Sequence, residues 1–90
     1  MEYHCNAVIS KNDETIFKNN LNFLLDKKDY RYQINYNFKE IDIEQITINL
    51  DINTGDKFDS YIFEYVWSSL FKKIKLIETK FLSQKCKLII

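Results

Sequence analysis

From Tyr30 to Phe38 the chain alternates strictly: Tyr30, Tyr32, Ile34, Tyr36 and Phe38 are separated by Arg31, Gln33, Asn35 and Asn37. A period of two places every apolar side chain on one face of a strand. Ile46, Ile48, Leu50 and Ile52 repeat the pattern, with Gln45, Thr47, Asn49 and Asp51 between them. The short charged connection from Lys39 to Glu44 joins the two runs, which predicts an antiparallel hairpin.

A helix is predicted ahead of the hairpin. Asn12 or Asp13 is its candidate cap, and Glu14 suits its positive end. Ile16, Phe17, Leu21, Leu24 and Leu25 form one broad stripe, with Lys18, Asn19 and Asn22 away from it. The helix should stop near Lys27 or Lys28. Tyr3 to Ile9 and Lys85 to Ile90 read as short terminal strands.

The stretch from Phe58 to Gln84 admits two readings. Ile62, Val66, Leu70, Ile74, Ile77 and Phe81 keep a three-to-four spacing, which predicts one long helix capped by Asp56 or Asp59. Yet Tyr61 to Trp67 is rich in aromatic and β-branched residues, and Asn53-Thr54-Gly55-Asp56 resembles a hairpin turn. The alternative is a third meander strand over about 57–67, giving β-α-β-β-β-α-β, with a short helix from Ser68 or Ser69. The long helix is preferred.

The preferred order is β-α-β-β-α-β. It predicts an α+β, ferredoxin-like sandwich: a four-stranded antiparallel sheet with two helices on one face and the other face open. The terminal strands would then lie side by side. With 90 residues, 46% of them apolar, the chain fits one domain with a real core. Its single Gly and lack of Pro leave no linker.

Charge narrows the function. Thirteen basic and thirteen acidic residues cancel, which argues against broad binding to nucleic acid or anionic membrane. No run approaches a membrane span, and the N-terminus lacks a signal-peptide pattern. Cys5 and Cys86 therefore read as reduced thiols in a cytoplasmic protein. The excess of Lys over Arg, with many Ile, Asn and Tyr, resembles translation of an AT-rich genome, as in a phage or a low-GC bacterium.

Candidate chemistry is sparse. His4 and Cys5 are neighbours in a strand and so point to opposite faces. Two thiols and one imidazole fall short of a structural zinc site. The acidic pairs Asp26 with Asp29, Asp42 with Glu44, and Asp56 with Asp59 sit near element ends, where they cap and solubilise. The lone Gly55 excludes glycine-rich phosphate loops. Arg31 lacks the loop context of acylphosphatase-like enzymes. RNA-recognition domains share the element order, but they stack bases on aromatic side chains of the open face. Here that face would carry His4, Asn6, Val8, Gln45, Thr47, Asn49 and Asp51.

No catalytic, cofactor or metal site is therefore expected. By elimination the chain reads as a non-enzymatic protein-binding module, a stoichiometric inhibitor such as a toxin-immunity or phage anti-defence protein. A self-associating regulatory or small-ligand domain is the alternative. Two partner surfaces are expected. One is a second helix stripe of Phe58, Tyr61 and Tyr65, whose exposure would mark a contact site. The other is the polar sheet face represented by Asn35 and Asn49.

Overall fold

The computed structural model describes residues 1–55 and 59–85, excepting the side chains of residues 83–85. Strand β1 (Glu2–Ser10) leads through a single 3-10 turn (Lys11–Asp13) into helix α1 (Glu14–Asp26). Strands β2 (Tyr32–Glu40) and β3 (Gln45–Thr54) follow, then helix α2 (Asp59–Leu70) and strand β4 (Leu76–Lys85). The four strands form one sheet in the order β2-β3-β1-β4. Every neighbouring pair is antiparallel, including β1 with β4.

The register explains the core. Ile34 lies across from Ile52, which lies across from Tyr3; Ile48 lies between Phe38 and Ala7. These rows share one face, and Phe17, Leu21 and Leu24 of α1 and Val66 and Leu70 of α2 close over it. Small residues, Cys5 and Ala7, occupy the middle of β1, the central strand, and are fully covered. Rings run through this layer in contact. Phe81 meets Tyr3 and Phe63, Phe63 meets Trp67, Trp67 meets Phe71, and Phe17 joins Phe71 to Phe38. Tyr3 and Phe63 stack with centroids 4.0 Å apart.

The predicted stripe of α1 is narrower than its sequence suggests. Phe17, Leu21 and Leu24 are buried, whereas Ile16 and Leu25 are exposed. Asp13 precedes the helix but makes no side-chain cap. Instead the Ser10 hydroxyl accepts from the Asn12 N–H at 3.2 Å, and the 3-10 turn leads into the helix. The Asp42 carboxylate closes the hairpin by accepting from the N–H groups of Glu44 (2.7 Å) and Gln45 (2.9 Å). That is an Asx-type turn.

The long helix is a correction. α2 ends at Leu70, and Ile74, Ile77 and Phe81 lie beyond it. The third meander strand is equally excluded, because residues 59–67 are helical. Nor is there a hairpin turn at Asn53, since Asn53 and Thr54 belong to β3. The final strand starts at Leu76 rather than Lys85; the remainder of the predicted segment, with Cys86, lies outside the described residues.

The cause of the misreading is physical. The β1–β4 ladder shifts register between Val8 and Ile9 and again between His4 and Cys5, so Ile77 and Leu82 are extra residues in β4. A bulge breaks the two-residue period, and the apolar spacing it leaves behind imitates a helix. Lys73, at φ 64°, turns the chain after α2, and Lys28, at φ 50°, does so after α1. Glycine is the usual residue there. The Asn20 side chain holds the second stop in place, donating to the carbonyls of Leu70 (2.9 Å) and Lys72 (3.1 Å).

Candidate protein-binding surface

Four-residue spacing aligns side chains along one line of a helix. On α1 this line is Asn19, Phe23 and Lys27; on α2 it is Tyr61, Tyr65 and Ser69. The two helices pack side by side, and the lines border a groove of about 530 Å³ lined by Asn19, Phe23, Lys27, Tyr65, Ser69 and Lys72 among others. Tyr65 also borders a neighbouring hollow with Tyr61, Glu64 and Ser68, so the surface continues along α2.

Its rings are left open to water. Phe23 is 62% exposed and Tyr61 77% exposed. Tyr65 differs: it is half-buried, with its ring 6.4 Å from that of Tyr32. Lys27 ties the groove together. Its ammonium lies 4.7 Å from the Phe23 centroid and 5.3 Å from that of Tyr65, and it donates to the Tyr65 hydroxyl at 2.5 Å. Cation–π contacts of this kind fix both a ring and a charge. Among the described residues neither Lys27 nor Lys72 forms an ion pair. The groove thus combines exposed aromatic area with two lysine side chains.

Tyr61 and Tyr65 are therefore brought together, while Phe58 lies outside the described residues. Phe23 escaped the sequence reading. Its signal was an aromatic residue lying off the stripe of Phe17, Leu21 and Leu24.

Asn35 and Asn49 lie on the opposite face of the sheet. Asn35 sits across from Asp51, and Asn49 between Asn37 and Asn6. The Asn6 amide donates to the Asn49 side-chain carbonyl at 2.6 Å, and His4 Nδ1 pairs with the Asp51 carboxylate. A polar row crosses three strands here.

Other polar and nucleophilic groups are engaged in the fold. Asp29 accepts from the Arg31 guanidinium at 2.5 Å and from the Arg31 N–H at 3.0 Å, which holds its carboxyl down at about 2. Cys5 is buried, and burial, followed by the charge of Asp51, pushes its thiol up to about 11. His4 and Cys5 face opposite sides of the sheet, as their adjacency requires. Among the described residues no group of three or more His, Cys, Asp or Glu is placed to hold a metal ion, and no helix is long and apolar enough to cross a membrane. Comparison with known proteins finds no family model, no curated protein and no solved structure that matches the chain.

Proposed function

We propose that this chain is a non-enzymatic protein-binding module that acts as a stoichiometric inhibitor, of the kind represented by toxin-immunity and phage anti-defence proteins. The observation that carries the reading is the α1–α2 groove, where Phe23 stands exposed beside Lys27 and Lys72, together with the adjoining hollow that carries the exposed Tyr61. Aromatic residues dominate the energetics of protein contacts. The lysines favour an acidic partner surface and speed its approach. Asn35 and Asn49, across the sheet, lie outside this contact.

The element order, the strand order and the uniformly antiparallel pairing support a ferredoxin-like fold. In such a fold the helix layer forms a stiff platform, and a groove built on two packed helices holds its geometry better than one built on loops. The module works in the cytoplasm, where the Cys5 thiol stays reduced.

The test is purification from the native cell with wild-type protein and with a Phe23→Ser/Tyr61→Ser double variant. The wild type should retain one acidic protein in equimolar amount, and the variant, with an unchanged circular dichroism spectrum, should lose it. Equal retention by both would remove the groove from consideration.

A further inference from the structure

β4 closes one end of the sheet. One of its sides is hydrogen-bonded to β1, and the strand order places no other strand of the described residues along the opposite side. An edge of this kind is a template for another strand. Natural edges are defended by charge, yet from Leu76 to Leu82 the charged residues are Glu78 and Lys80. Around them Ile77 is 50%, Phe81 52% and Leu82 61% exposed. Apolar side chains of that size, left open along an edge, mark an interaction site.

The order of residues names the occupant. We propose that β4 pairs antiparallel with the β4 of a second copy of this chain, about a two-fold axis through Thr79, extending the sheet from four strands to eight. In this register Glu78 faces Lys80 of the other copy, and symmetry makes the contact twice. The exposed apolar residues Ile77, Phe81 and Leu82 flank this pair. Opposite-charge cross-strand pairs stabilise a sheet. Moving the axis by one residue undoes the match: centred on Lys80 it sets lysine against lysine, and centred on Glu78 it sets glutamate against glutamate.

Geometry agrees with this register. The bulged residues Ile77 and Leu82 flank Glu78–Phe81, which keeps regular pairing with Val8, Ala7, Asn6 and Cys5, so the Glu78–Lys80 match lies wholly in regular strand. Within one chain Lys80 and Glu78 approach only to 3.7 Å, on the same strand, with both side chains more than half exposed. A second copy offers each a partner directly opposite. The other edge, β2, has no such match, because pairing about Tyr36 sets Gln33 against Lys39 and Asn35 against Asn37. Identical patches meeting about a two-fold axis give a closed dimer rather than a fibre.

This inference is independent of the helix-layer groove, and the two separate experimentally. The test is sedimentation of the full chain over a concentration series, expecting a species of twice the 10.9 kDa chain mass. Glu78→Lys and Lys80→Glu should each sediment as monomers, since each sets like charges against one another. Mixing the two variants should restore the dimer, because every cross-pair is then opposite in sign; so should the double exchange within one chain. The Phe23→Ser/Tyr61→Ser variant should dimerise like wild type. A wild type that stays monomeric throughout would overturn the proposal. So would single variants that still dimerise, or a mixture that stays monomeric.

Discussion

The phenolic hydroxyl of Tyr3 donates to the carboxylate of Asp59, a residue 56 positions away in the chain. The same carboxylate accepts from the hydroxyl of Thr54. One acidic side chain at the first turn of α2 thus ties that helix to the central strand β1 and to the end of β3. A carboxylate also suits the positive end of a helix.

Replacing Asp59 by Ala should therefore cost more than a surface substitution. Two hydroxyls in a partly buried setting lose their acceptor, and hydrogen bonds to a charged group contribute roughly 1.5–3 kcal/mol each. Losses of about 3 kcal/mol or more are expected for Asp59→Ala and about 1.5 kcal/mol for Tyr3→Phe. Urea unfolding followed by circular dichroism measures both.

Lys28 and Lys73 occupy the left-handed region, where a side chain costs about 1–2 kcal/mol. Glycine relieves that strain but has more freedom to lose on folding. Lys28→Gly and Lys73→Gly should each raise stability by about 0.5–1 kcal/mol. Thermal unfolding should show both midpoints moving upward.

The Cys5 thiol, raised to about 11, should be slow to react in the folded protein. Only a thiolate attacks a disulfide reagent, and a shift from 9.0 to about 11 leaves roughly 100-fold less of it near neutral pH. Burial slows access further. Labelling of Cys5 is expected to be slow in buffer and fast in denaturant. Because the folded value lies above the unfolded one, this group's contribution to stability is intact below about pH 9 and is lost as pH rises toward 11. Cys5→Ala should lack that part of the alkaline loss.

Asp29 behaves in the opposite sense. Its folded value, about 2, lies below its ordinary 3.8, so its contribution is present above pH 4 and is lost as pH falls through 2. Acid titration of wild type against Asp29→Asn isolates it. The wild type should be the more stable at pH 6, and the difference should shrink as the pH is lowered toward 2.

How legible the fold was depended on whether its side-chain period survived. The β2–β3 hairpin was plain because Ile34, Phe38, Ile46 and Ile48 keep strict alternation with no bulge in their ladder. The second half was obscured at three points. Ile77 and Leu82 insert extra residues into β4, and the stop after α2 is made by Lys73 rather than by glycine. A lysine carries no stop signal in sequence, because its left-handed conformation is imposed by packing and by the Asn20 side chain. The partner surface was half legible. Tyr61 and Tyr65 follow from their spacing, but the juxtaposition of Phe23 and Lys27 with them depends on how α1 lies against α2, which no local pattern encodes.

The placement of β1 in the middle of the sheet fixes a timetable. β1 is made before the other three strands, yet its neighbours are β3 and β4, whose residues Asn49 and Lys80 finally flank Asn6. Until they emerge, the backbone N–H and C=O groups of β1 have neither of their partner strands. The β2–β3 hairpin needs only a short loop to close and forms within microseconds. Pairing of distant segments must first overcome the entropy of closing long loops. Loop length alone therefore favours closing the β2–β3 hairpin at one side of the sheet first, then β1 onto β3, and β4 onto β1 last.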